Sequence, residues 1–168
     1  MQVFTAAIET MLTAIFAAAF IWLMAAVLPQ NRTFLLPCAI LYVCLVLYIT
    51  LFSRVAAEEG QGVNILPFRF VYWIIQYAKG PTYHGVFRPI LGVYMNILMF
   101  APLGFLFKCF HENTATWKIV VTGFIVSLSI EVAQMIFHLG MFETDDLLTN
   151  TLGTWAGTVI YRKRMRKI

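Results

Sequence analysis

Charge is what this sequence has least of. Asp, Glu, Lys and Arg make up 12% of its 168 residues, whereas a soluble domain carries roughly 25%. With 61% hydrophobic residues, water is not the main solvent of the fold, and a soluble globular protein is excluded. The length suits one domain and leaves no room for a separate soluble module. Cysteine is also scarce. Cys38, Cys44 and Cys109 sit in or at the ends of apolar runs, with no CxxC spacing and no histidine at ligand spacing, so they point to neither a disulfide framework nor a metal centre. No cofactor and no metal ion are expected. Residues 1–10 hold Glu9 but neither Lys nor Arg, so the positive n-region of a signal peptide is missing. The apolar run that follows is too long for an h-region and is expected to stay as a helix. Basic faces interleaved with aromatics are lacking too, which excludes nucleic acid as a partner. Of the net charge of +4, most comes from Arg162, Lys163, Arg164, Arg166 and Lys167 behind an apolar run. Such a cluster anchors a chain end at the cytoplasmic face of a membrane.

What is present is a series of apolar runs. Crossing roughly 30 Å of hydrocarbon takes about 20 mostly apolar residues. Met11 to Leu28, Phe34 to Ser53, Val86 to Phe110, Trp117 to Phe137 and a shorter Asp146 to Tyr161 qualify, giving an all-α membrane protein of about five transmembrane helices. Between the second and third lies 64–78, whose apolar core is too short to cross. Its aromatics Phe68, Phe70, Tyr72, Trp73 and Tyr77 suit an interfacial or re-entrant helix started by Pro67. The cations set the orientation. Arg32, Lys108, Lys118 and the five of the tail fall on one side, against Arg54, Arg69, Lys79 and Arg88 on the other. The richer side is cytoplasmic, so the expectation is a multi-pass protein with its N-terminus out and its C-terminus in.

Polar residues interrupt these runs in a pattern. An ionisable group in hydrocarbon costs several kcal/mol, which makes Glu131 a functional candidate by default. Ser127, Glu131, Gln134 and His138 form one stripe of a helix, and Asp146, Asn150, Gly153 and Gly157 repeat the spacing on the next run. Two antiparallel helices joined by a short loop bring the stripes together. Symmetric pairing sets Gln134 opposite Asn150 and Glu131 opposite Gly153, where the missing side chain leaves room for a ligand. Asn96, eight residues beyond Arg88, falls at a similar depth, about 12 Å into the bilayer. A polar, outward-facing pocket follows, rimmed by Arg54, Arg69, Arg88, Asp145 and Asp146.

Each of these residues also has a structural reading. Glu131 can pair with Arg54 or Arg88. Asp145 and Asp146, following Thr144, can cap a helix N-terminus. Asn96, Gln134 and Asn150 can hold helices together, and Gly153 with Gly157 forms a GxxxG face for packing, including packing against a second copy in a homo-oligomer.

Five pieces of the chain resemble the VanZ-like family of bacterial membrane proteins. In order, they are Tyr48-Ile49-Thr50-Leu51-Phe52-Ser53-Arg54; Asn64-Ile65-Leu66-Pro67-Phe68; Asn96-Ile97-Leu98-Met99-Phe100-Ala101-Pro102-Leu103-Gly104-Phe105; Ser127 to Gln134; and Asp145-Asp146-Leu147-Leu148-Thr149-Asn150-Thr151-Leu152-Gly153. They cover residues 48 to about 161 of a single domain, 1–168. Glu143 stands where the family often has Asp. The resemblance implies a bacterial inner-membrane protein, with some relatives linked to lowered susceptibility to teicoplanin-type glycopeptides, and it adds Asn64 to the candidate binding residues.

Three functions fit these readings. The first is an envelope protein that binds a membrane lipid or lipid-linked wall precursor by its headgroup, through Arg54, Asn64, Arg69, Arg88, Asn96, Glu131, Gln134 and Asn150. The second is an intramembrane enzyme with Glu131 as general base and Asp145 or Asp146 as acid or cation holder. The third is a small transporter with Glu131 as a proton-coupled site.

Overall fold

The computed structural model describes residues 35–52, 62–79 and 87–165, and these are mostly helical. The first apolar run, Met11 to Leu28, and Arg54 lie outside the described residues, as does the side chain of Arg88.

Helix α1 spans Leu35–Leu47. Pro37 sits in its first turn, where the N–H that proline lacks has no partner in any case. The helix then widens into a π-helical turn, Tyr48–Phe52. A three-residue strand, β1 (Gly62–Asn64), precedes the short helix α2, Arg69–Lys79. Helix α3 (Phe87–Phe110) and helix α4 (Thr116–Ile136) follow, then β2 (Met141–Glu143) and helix α5 (Thr144–Met165). Strands β1 and β2 pair in parallel, Asn64 opposite Glu143. Apolar periodicity alone does not reveal segments this short, so the helical bundle carries a small two-stranded element that the sequence reading lacked.

Among the described residues, α3 from Pro89 and α4 are long and apolar enough to cross a membrane, and Leu35–Leu51 is a shorter apolar helix. By mean hydropathy α5 does not qualify, because it carries many polar residues, and these face inward. Thr149, Asn150, Thr154 and Thr158 are buried, while Leu148, Leu152, Trp155 and Ile160 face out. The threonine hydroxyls bond back to carbonyls of their own helix, Thr149 to Asp145 at 2.8 Å and Thr154 to Asn150 at 3.1 Å, which satisfies them without water. Asp145 and Asp146 in the first turn and Arg162 to Arg164 in the last complement the helix dipole.

Helices α3 and α5 run parallel in close contact, with α4 antiparallel beside them. A Cβ at Gly153 would run into the carbonyl oxygen of Ile97, and one at Gly157 into that of Ala101. Only glycine lets the backbones approach this far. The GxxxG face offered to a second copy in the sequence reading is therefore covered by α3 of the same chain. Phe100, Phe105 and Tyr161 complete this core, the last two edge to face at 5.6 Å. Tyr42 joins α1 to it by donating to the Met99 carbonyl at 2.6 Å.

Candidate functional site

The polar residues gather where α4 ends and α5 begins. Ser127, Glu131 and Gln134 are indeed one stripe, each no more than 2% exposed. His138 leaves it, since the chain turns there with a positive φ of 57° and the side chain is exposed.

The register between α4 and α5 differs from the symmetric one expected. Asn150 Nδ2 donates to Ser127 Oγ at 2.9 Å, so Asn150 meets a residue seven positions below Gln134, about two turns away. The cause is β2: after α4 the chain doubles back along it before α5 starts. The backbone N–H of Glu143, the last residue of β2, thereby reaches Glu131 Oε2 at 3.0 Å. Gly153 is not opposite Glu131 but packs against Ile97 of α3. Gln134, the next residue of the stripe, donates from Nε2 to the Thr50 carbonyl in the π-turn at 2.9 Å.

Asn96 reaches the same end from α3. Its Nδ2 donates to Asp146 Oδ1 at 2.7 Å and to Thr149 Oγ1 at 3.2 Å. Asp146 thus orients a neighbouring helix, while Asp145 has a different duty. Its two oxygens accept the N–H groups of Phe68 and Phe70, the latter at 3.0 Å. These are free donors at the start of α2, so a carboxylate from α5 caps α2. Phe68 has a positive φ of 62° there, and Asp145 stabilises that turn. Asn64 extends the junction: its carbonyl accepts from Thr144 Oγ1 at 3.2 Å, its Oδ1 accepts the Leu66 N–H at 3.3 Å, and its Nδ2 lies 3.5 Å from Glu143 Oε1. Nothing in the sequence singled out these partners, although the family-like pieces 64–68 and 145–153 are the segments they join.

Arg69 stands apart. It begins α2 and lies over the Trp73 ring at 5.6 Å, a cation–π contact. Helix α2 has no buried residue, and Val71, Tyr72, Trp73, Ile75 and Tyr77 are exposed along it.

Two acceptors in this region lack donors. Gln134 Oε1 and Asn150 Oδ1 are buried with no hydrogen-bond partner, on residues 1% and 3% exposed. An unsatisfied buried acceptor costs about 1–3 kcal/mol. Both Asp145 oxygens accept N–H groups at the start of α2. Among the described residues no three His, Cys, Asp or Glu side chains group as metal ligands would.

A helical, membrane-type bundle with a buried polar end defines the class. The family model VanZ/LLP1 matches residues 39–166, and the chain belongs to that family. It is 24% identical over 127 residues to Protein VanZ of Enterococcus faecium, covering 72% of this chain and 69% of that one. No solved structure matches.

Proposed function

We propose that the protein is a multi-pass envelope protein of the bacterial cytoplasmic membrane, N-terminus out and C-terminus in, whose polar end faces outward and binds the headgroup of a lipid or lipid-linked wall precursor. The observation that carries this reading is the pair of donorless acceptors, Gln134 Oε1 and Asn150 Oδ1, on the same α4–α5 stripes as Glu131. Hydroxyl or ammonium groups of a headgroup are donors of the kind they lack. Asn64, Asn96 and Glu131 shape the end from three segments, and Arg54, Arg69 and Arg88 supply cations for a phosphate. Helix α2, with its exposed aromatics, suits the interface beside that end. The resemblance to proteins linked to teicoplanin susceptibility fits a wall precursor as the ligand, because such drugs act outside the membrane. The test is binding of labelled lipids to wild type and to Glu131→Gln, with the bound lipid then weighed by mass spectrometry. Binding that needs Glu131 and returns the lipid unchanged supports this reading. A chemically altered product assigns the protein to the enzymes instead.

A further inference from the structure

A furrow of about 270 Å³ lies between α1, α3 and α4, walled by Val46 and Leu51, Phe100 and Leu103, and Ile130 and Ala133. Two polar side chains line it, and both are already satisfied: Tyr42 donates to the Met99 carbonyl, and Ser129 donates to the Ile125 carbonyl at 2.8 Å. An occupant finds hydrocarbon contact and no hydrogen bond. The furrow opens sideways past Val43, Leu47 and Ile125, all exposed. Two of its three walls are the helices of bilayer length, so the medium at that opening is the bilayer interior. Along α4 the lining runs from Ile125 to Ala133, eight steps of about 1.5 Å. That is about 12 Å, close to the roughly 15 Å of one leaflet's hydrocarbon. One end of the furrow reaches Leu51 and Ala133, the chain neighbours of Thr50 and Gln134, whose bond ties α1 to α4 at the polar end.

We infer that this furrow seats one alkyl chain of a bilayer lipid, with the glycerol and headgroup of that lipid at the polar end. The inference rests on the headgroup reading above and names the other half of the same ligand. Its size is adequate, since an apolar cavity of roughly 150 Å³ already takes up benzene. Apolar walls in van der Waals contact with one chain also separate a held lipid from the lipids that merely surround the bundle.

The experiment uses the full chain in vesicles of phosphatidylglycerol and phosphatidylethanolamine, with a trace of phosphatidylglycerol carrying a diazirine on its acyl chain. After illumination, labelled peptides are mapped by mass spectrometry. Label should concentrate on 42–51 and 125–133, and fall to background there in Val43→Trp and Ala133→Trp, which fill the furrow from two sides. Labelling of Leu152 and Trp155, which face out from α5, should not change in either variant. Label spread evenly over all outward residues would overturn the inference. So would an unlabelled furrow accompanied by efficient disulfide formation between Ala18→Cys and Leu47→Cys in a cysteine-free background, because the chain's own apolar run 11–28 would then be the occupant. An unlabelled furrow with headgroup binding intact overturns this inference alone. A labelled furrow in a protein with no headgroup preference overturns the headgroup reading alone.

Discussion

Asp145 Oδ2 accepts the backbone N–H of Phe70, 75 residues earlier in the chain, at 3.0 Å, so a carboxylate at the start of α5 caps α2. Through this bond the exposed helix α2 is fixed to the polar end of the bundle. Asp145→Ala should cost on the order of 1 kcal/mol, as loss of a helix cap does. Hydrogen exchange at residues 68–72 should accelerate while α3 and α5 keep their protection. Equal protection of α2 in the variant would mean the carboxylate does not hold it.

The close approach of α3 and α5 makes two glycines respond oppositely to the same change. Gly153→Ala meets the Ile97 carbonyl, and Gly92→Ala on the same α3 meets nothing within 4 Å. The first should lose about 1–3 kcal/mol by overpacking, and the second should be neutral or gain up to about 1 kcal/mol from helix propensity. Thermal unfolding in one detergent compares them directly.

Asn96 and Asp146 should prove energetically coupled. A double-mutant cycle with Asn96→Ala and Asp146→Ala is expected to return an interaction of about 0.5–3 kcal/mol, whereas residues without a shared contact add within a few tenths. Additive losses would show that the 2.7 Å bond contributes nothing net.

Orientation has its own check. A reporter fused after Ile168 should read as cytoplasmic and one inserted near Met141 as external. Cysteines at Asn64 and Lys79 should label from the same face, in keeping with an α2 that does not cross. A periplasmic signal from the C-terminal fusion would put the polar end on the cytoplasmic side.

Much of this was legible in the sequence because burial in a helix is periodic. The Ser127, Glu131 and Gln134 stripe is buried as its spacing requires, and Asn96 and Asn150 join the same end. Spacing fixes which face a residue occupies, however, and not how far one helix slides along another. The α4–α5 register therefore missed by about two turns, since the return along β2 has no periodic signature. For the same reason Gly153 read as a vacancy beside Glu131 when it is a close approach to Ile97. Asp145 read as a cap for its own helix, and only the folded chain brings Phe68 and Phe70 to it. The inward polar face of α5 lowered its hydropathy, yet its outward residues are as apolar as those of a spanning helix.

Glu131→Gln separates headgroup binding from a structural role, because the amide keeps the shape of the side chain and can still accept the Glu143 N–H, while the ionisable group is lost. Affinity for the labelled lipid and thermal stability are measured on the same preparation. If the polar end binds a headgroup, the variant should keep the wild-type unfolding temperature and bind at least about tenfold more weakly, a difference of about 1.4 kcal/mol. Unchanged affinity with a lowered unfolding temperature, matched by a coupled loss on replacing Arg54 or Arg88, would overturn the headgroup role and make Glu131 a structural partner of that arginine.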